Sequence, residues 1–186
     1  MASRPDNTGG GVPWRAIGWG GAAALLALPF VAMQFTRDVT WTLSDFMAFG
    51  VMLLMVGIPL ELAVRTGRDW AYRGGALLAL VGMFLTIWAN LAVGIVGSED
   101  NPANLWFFAA LLVGLVGSAI ARFRPNGMAI AMVATAASMS VAFAIAVMGP
   151  TDEPNVSHWL ELAGTSVFAA LFLGSAGLFR KAARSA

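Results

Sequence analysis

Residues 128–148, MAIAMVATAASMSVAFAIAVM, form a long apolar stretch without a single charged side chain. At about 1.5 Å per residue, a helix of this length crosses a hydrocarbon core about 30 Å thick. Backbone amides and carbonyls that face lipid must be hydrogen-bonded within their own segment, so a helix is predicted. Small residues recur at every fourth position and predict close approach of another helix, either at the centre of a bundle or at an oligomer seam. They are Ala134, Ser138, Ala142 and Ala146.

Five further stretches of the same kind flank this one. The predicted spans are about 16–35, 46–64, 72–96, 105–121, 128–148 and 159–179. Of the 186 residues, 59% are hydrophobic and 11% charged, whereas a soluble domain carries about 25% charged residues. We therefore predict an all-α integral membrane bundle of six transmembrane helices in a single domain, 14–186. Residues 1–13 are polar and Gly-rich, and we expect a disordered cytoplasmic tail there.

The first apolar stretch also raises the alternative of a secretory signal peptide, since Arg4 and Arg15 precede it. No small-x-small cleavage site follows its apolar core. We interpret it as a retained span.

The basic residues predict the orientation of the bundle. Cytoplasmic loops of membrane proteins retain Lys and Arg, and ten of the eleven basic residues fall on one side of the predicted spans, with Arg37 as the exception. The other side is acidic and holds Asp38, Asp45, Glu99, Asp100, Asp152, Glu153 and Glu161. Both termini are therefore predicted to be cytoplasmic.

Three local signals predict helix ends. Thr42 or Ser44 is placed to cap the second span, residues 125–127 (PNG) to form a tight turn, and Gly149 with Pro150 to end the fifth span.

Polar residues within spans are costly in lipid and are candidates for function. Asn90, Glu61 and Trp88 are the predicted contacts of a pore or substrate. For Asn90 the alternative is a hydrogen bond that holds two helices together. For Glu61 the alternative is an i,i+4 ion pair with Arg65 at the membrane edge.

The loops on the acidic side contain the candidate metal ligands. Glu99 and Asp100 lie in an oxygen-rich segment, 97–104, whose carboxylates and amides suit a hard divalent cation such as Ca²⁺. His158, the only histidine, and Glu161 lie one helical turn apart and suit Zn²⁺ or a pH-sensitive pair. The alternatives are Asx turns that cap the fourth span and a solvated histidine.

Motifs for catalysis and for cofactors are missing from the sequence. The chain has no cysteine, no Gly-rich phosphate loop, no His-Glu-x-x-His and no Gly-x-Ser-x-Gly. We predict neither an enzyme nor a cofactor, and a net charge of +1 predicts no nucleic-acid partner.

Two segments, 90–105 (NLAVGIVGSEDNPANL) and 121–128 (ARFRPNGM), resemble those of an uncharacterised family of small bacterial multi-pass inner-membrane proteins. The resemblance implies a bacterial inner (cytoplasmic) membrane and no particular activity.

Two functions remain open at this point. The first is a non-enzymatic accessory or homo-oligomeric subunit that acts by helix–helix association with another membrane protein or with itself. The second is a small cation or solute transporter or channel with an acidic outer mouth.

Overall fold

The computed structural model describes residues 14–65, 69–148 and 158–185 of the chain. Those residues form six α-helices and one short 3-10 turn, Pro102–Asn104, and no strand lies among them. The helices are α1 (Trp14–Phe35), α2 (Leu43–Arg65), α3 (Trp70–Ala92), α4 (Leu105–Ile120), α5 (Pro125–Met148) and α6 (His158–Arg184). All six, the fourth taken with its 3-10 turn, are long and apolar enough to cross a membrane. The prediction of an all-α, multi-pass membrane protein is confirmed.

The predicted third span runs past the end of its helix. We predicted a helix to Val96, but α3 ends at Ala92 and the chain turns at Gly94, whose φ is +75°. Ile95 and Val96 are apolar and buried in a loop rather than in a helix. Hydropathy does not distinguish these two environments.

The turn between α4 and α5 is also displaced from its predicted position. Residues 125–127 do not form a turn, because Pro125 begins α5, where its missing N–H costs no hydrogen bond. The chain reverses at residues 121–124 instead, and Arg122 and Phe123 there adopt positive φ angles of 49° and 56°. The sixth helix continues to Arg184, past the predicted end at 179.

The start of α2 agrees with the predicted cap in position but not in its bonds. Thr42 immediately precedes the helix, and its backbone N–H donates to Asp45 Oδ2 at 2.7 Å. The Thr42 hydroxyl donates to the same oxygen at 2.8 Å, and its carbonyl accepts from the N–H of Asp45 and of Phe46. The Asp45 carboxylate thus satisfies the Thr42 N–H, which is one half of a capping box, while the Thr42 hydroxyl bonds this carboxylate and not a helix amide. The tail 1–13 and the predicted stop at 149–150 lie outside the described residues.

The chain divides into two compact units, Met1–Gly57 and Ile58–Ala186. The prediction of one six-helix domain stays a prediction, and each unit is described by itself.

The first unit is a hairpin of α1 and most of α2. The Trp19 ring packs on Gly57, within 3.0 Å of where a Cβ would stand, and Leu26 packs on Gly50 at 4.0 Å. Trp19 and Leu26 are seven residues apart on α1, and Gly50 and Gly57 are seven residues apart on α2. The two α1 side chains therefore pack on two glycines that share one side of α2. Trp41 closes the far end with edge-on contacts to Phe46 and Phe49.

In the second unit α5 is the central helix, with α4 on one side and α6 on the other, while α3 packs on α6. The prediction that α5 is either central or at an oligomer seam is consistent with this position, and Ala142 and Ala146 of the predicted small-residue face are buried. Aromatic, methionine and alanine side chains fill the interior. The large side chains among them include Tyr72, Phe107, Met128, Met132, Met139, Phe172 and Phe179.

Glycines determine how closely the helices of this unit approach. On α3, a Cβ at Gly75 would stand 3.2 Å from the Phe179 ring and a Cβ at Gly82 would stand 3.2 Å from Phe172. On α4, a Cβ at Gly114 would overlap the hydroxyl of Thr135. Helices in lipid associate mainly through such close packing, since lipid is as apolar as the side chains.

One end of this unit gathers basic residues. The Tyr72 hydroxyl donates to the Phe123 carbonyl at 3.0 Å, and its ring packs edge-on against Phe179, which joins the start of α3 to the α4–α5 turn and the end of α6. We call it the basic end. Its basic residues are Arg73, Arg122, Arg124, Arg180, Lys181 and Arg184. This clustering agrees with the pattern behind the predicted orientation, and the cytoplasmic location of the termini stays a prediction.

The contact between Gly114 and Thr135 makes the first testable prediction. Gly114→Ala should lower the free energy of unfolding by about 1–3 kcal/mol, because the new methyl overlaps the Thr135 hydroxyl. Thermal unfolding in detergent, followed by tryptophan fluorescence, measures the change.

Gly177→Ala is the matched control, since a Cβ there meets nothing within 4 Å. It should leave stability unchanged or raise it by up to about 1 kcal/mol. Adding Thr135→Ala to Gly114→Ala should recover stability. Equal effects at the two glycines would contradict this account of the α4–α5 contact.

Candidate functional site

The densest set of hydrogen bonds outside the helices lies in the segment 93–104, between α3 and α4. We call it the cap loop. It lies at the end of the second unit opposite the basic end, because α3 ends and α4 and α6 begin there. Buried irregular backbone needs partners inside the protein for its N–H and C=O groups, because it has no helix ladder to supply them.

Asn104 supplies most of these partners. Its side-chain Oδ1 accepts from the N–H groups of Ile95 and Val96, both at 3.0 Å. Its Nδ2 donates to the carbonyls of Val96 at 3.3 Å and Ser98 at 2.8 Å. Only 4% of the residue is exposed. One buried carboxamide thus satisfies four backbone groups, which makes Asn104 the organising residue of the cap loop.

Two further features fix the shape of the cap loop. Gly94 and Gly97 have φ angles of +75° and +66°, which glycine adopts without the steric cost of a side chain. A Cβ at Gly94 would also overlap the Ser98 carbonyl. Asn101 accepts from the Ala103 N–H at 2.9 Å and begins the 3-10 turn. The alternative prediction of Asx turns in this segment agrees with this bond, but the turn caps Pro102–Asn104 and not α4, whose N-cap Asn104 makes no side-chain cap bond.

Glu161 joins the cap loop to α6. Its Oε1 accepts from the Gly97 N–H at 2.9 Å, across 64 positions in sequence. Its Oε2 lies 3.2 Å from His158 Nδ1, and His158 is the first residue of α6. The carboxylate is 10% exposed and the imidazole 49%. The structure therefore brings together the predicted pair and adds a backbone amide as a third partner.

The other candidate metal ligands lie apart from this contact. Glu99 and Asp100 are exposed at the tip of the cap loop. Within 14–65, 69–148 and 158–185, no group of three or more His, Cys, Asp or Glu side chains is placed to hold a metal ion. The divalent-cation site at Glu99, Asp100, His158 and Glu161 stays a prediction.

Asn90 lies on the buried side of α3, one turn after Thr86. It is 3% exposed, and its Nδ2 donates to the Thr86 carbonyl of its own helix at 3.0 Å. Its Oδ1 is buried and has no hydrogen-bond partner. This polar atom is the one feature of the predicted pore residues that packing alone does not explain.

The remaining two candidates have structural contacts. Glu61 forms the expected ion pair with Arg65, one turn along α2. Trp88 stacks on Phe84, with ring centroids 6.3 Å apart and the ring planes 5° from parallel. These contacts do not test the predicted role of Glu61 and Trp88 in a pore.

Two residues of the site were not singled out from the sequence. Asn104 was expected only as part of an oxygen-rich loop, although its place directly before an apolar helix marks it as a residue that bonds backbone. Thr165 of α6 is 3% exposed and its hydroxyl has no partner, and no sequence signal separates it from other threonines in spans.

No protein-family model, curated protein or solved structure matches this chain.

The second prediction concerns Asn104 and the cap loop. Asn104→Ala should lower the free energy of unfolding by about 2–5 kcal/mol, because two backbone N–H groups lose their acceptor in a buried place. Hydrogen exchange at the Ile95 and Val96 amides should accelerate in parallel. Asn101→Ala is the control, with one lost cap bond and a cost of about 1 kcal/mol. Unchanged exchange in Asn104→Ala would contradict the assigned role.

Glu161 makes the third prediction. Glu161→Ala removes the acceptor of the Gly97 amide and should cost about 1–3 kcal/mol, with faster hydrogen exchange at Gly97. Glu161→Gln keeps a carbonyl oxygen and should retain most of the protection. His158→Ala should cost less than about 1 kcal/mol, since that side chain is half exposed. If His158→Ala and Glu161→Ala were equally damaging, the link to Gly97 would not be the main role of Glu161.

Proposed function

We propose that this membrane protein is a non-enzymatic subunit that acts by helix–helix association, and that α1 carries the contact. The observation behind the proposal is that no residue of α1 is buried, although α1 is a 22-residue apolar helix. The only partly covered positions lie on one narrow seam: Trp19, Ala22, Leu26, Pro29 and Ala32. The remaining circumference of α1 is exposed.

A row of small residues lies beside this seam. Ala16, Gly20 and Ala24 follow each other at intervals of four, Ala27 continues the row, and all are exposed. We call these four residues the α1 small face. A Cβ at Gly20 would meet nothing within 4 Å. Small residues at this spacing let a second helix backbone approach closely, which is the main source of association energy in lipid.

The interior of the second unit favours association over transport. Phe107, Met139, Phe172 and Phe179 occupy its centre, and the charged side chains of this unit lie at its ends or in its loops. A path for ions or polar solutes requires a line of polar groups or waters. Large apolar side chains along the axis oppose such a path.

A small cation or solute transporter or channel is the second candidate. The unsatisfied Oδ1 of Asn90 supports it, because a buried polar atom without a partner is typical of a place where a ligand or water binds. The pairing of Glu61 with Arg65 gives this carboxylate a structural role and weakens the case.

The setting we propose is a bacterial inner membrane, with both termini in the cytoplasm. The segments that resemble small bacterial inner-membrane proteins support the membrane, and the basic end supports the orientation.

The fourth prediction uses disulfide cross-linking, because the chain has no cysteine and an introduced one is its only thiol. A Gly20→Cys variant, oxidised in its native membranes, should form disulfide-linked dimers, because the α1 small face brings two copies of position 20 close together. Non-reducing gel electrophoresis measures the dimer yield.

Leu26→Cys is the matched control, since Leu26 packs on Gly50 of the same hairpin. It should give several-fold less dimer than Gly20→Cys. Gly20→Leu, placed in a chain that carries a fluorescent label, should reduce energy transfer between copies, and Gly177→Leu should not. Equal cross-linking at positions 20 and 26, or none at either, would contradict self-association through this face.

A further inference from the structure

The second unit contains buried polar atoms that nothing satisfies. Among the described residues these are Arg73 Nε, Asn90 Oδ1 and Thr165 Oγ1. Asn90 and Thr165 are each 3% exposed, whereas Arg73 lies at the basic end and is only partly buried. The carboxamide oxygen and the hydroxyl therefore need an explanation, since an unsatisfied buried polar group costs about 1–3 kcal/mol.

Thr165 differs from the other buried hydroxyl residues in the spans of this unit. Thr86, Ser118 and Thr135 are buried as well, and each donates to the carbonyl four residues earlier, at 2.7 to 2.9 Å. Ser175 donates across the helix interface to the Gly75 carbonyl at 2.7 Å. The Thr165 hydroxyl makes neither kind of bond, so its oxygen is available to a partner from outside its own helix.

The register between α3 and α6 brings Asn90 and Thr165 to the same level. The two helices run antiparallel, and Gly75 packs on Phe179 while Gly82 packs on Phe172 and Leu171. Continued by about two turns, the same register places Asn90 opposite residues 163–164. Thr165 is the next residue along, less than one helical turn away.

Both residues also lie on the faces that the helices turn to each other. On α3, Asn90 continues the buried line of Gly75, Gly82 and Thr86 at spacings of seven and four. On α6, Thr165 lies seven residues before Phe172, which contacts Gly82. Residues at these spacings share one side of a helix.

We propose that a water molecule is bound between α3 and α6 and joins Asn90 Oδ1 to Thr165 Oγ1. Water donates to the carboxamide oxygen, which can only accept, and either donates to or accepts from the hydroxyl. Buried waters occur where two or more polar groups lack protein partners, and apolar cavities stay empty. A metal cation is a poorer match, because Ca²⁺ requires about six to eight oxygen ligands.

The bound water supplies a polar contact in the half of the α3–α6 interface that lies nearer the cap loop. Glycines of α3 approach α6 as far as Gly82, and beyond it α3 presents Thr86 and Asn90. A water-mediated hydrogen bond there is nearly as favourable in enthalpy as a direct one. It aligns the end of α3 with the beginning of α6, from which Glu161 reaches the cap loop.

Solid-state NMR on the full-length protein in lipid bilayers tests the proposal directly. With water as the magnetisation source, the Asn90 side-chain amide and the Thr165 methyl should gain signal at short mixing times. Thr135 is the control, because it is equally buried and its hydroxyl is bonded to the Ala131 carbonyl. Transfer to Asn90 and Thr165 as slow as transfer to Thr135 would overturn the proposal.

A double-mutant cycle gives the second readout. Thr165→Val and Asn90→Leu should each lower Tm by about 2–4 °C, because each leaves the water short of a partner. The double variant should lose clearly less than the sum, and Thr135→Val combined with Asn90→Leu should be additive. Coupling between the two changes without a water signal would indicate a direct Asn90–Thr165 hydrogen bond and would overturn the water site. Additive effects of the two changes would also overturn it.

Discussion

The structure depends on one constraint, which is that backbone and side-chain polar groups within a bilayer must find partners inside the protein. Six helices satisfy their own amides and carbonyls. Polar side chains in the spans satisfy the same constraint locally, since hydroxyls such as those of Thr86 and Thr135 donate to a carbonyl one turn earlier. Polar residues can therefore lie inside the second unit without a water-filled path. Most of them have a role in packing rather than in function.

The cap loop solves the same problem without a helix. Ile95 and Val96 are buried where the chain is irregular, and the Asn104 carboxamide accepts from both of their amides. Glu161 does the same for Gly97 from α6. The Glu161 contact joins α6 to the cap loop, so the stability of the cap loop is coupled to the position of α6. Asn104 and Glu161, which the sequence places in or beside the acidic loops, thus have a structural role in holding the cap loop.

The sequence was sufficient for the number and the class of the helices, because span length and hydropathy depend on composition alone. It was also sufficient for the Glu61–Arg65 pair, whose partners lie one turn apart. It failed at Val96, where an apolar residue is buried in a loop. Window hydropathy measures burial in any apolar environment and carries no information on backbone conformation, so the boundary of α3 required the structure.

The candidate site was predictable to the extent that its interactions are local. Asn90 stood out as a polar residue deep in a span, and the His158–Glu161 pair followed from helical spacing. Thr165 did not stand out, because its unusual feature is a missing bond, and that depends on which helix faces it. Helix pairing is set by glycine contacts such as Gly82 with Phe172, which become visible only when both helices are in place. An unsatisfied atom in a span is therefore a property of the assembled interface, which neither helix reveals alone.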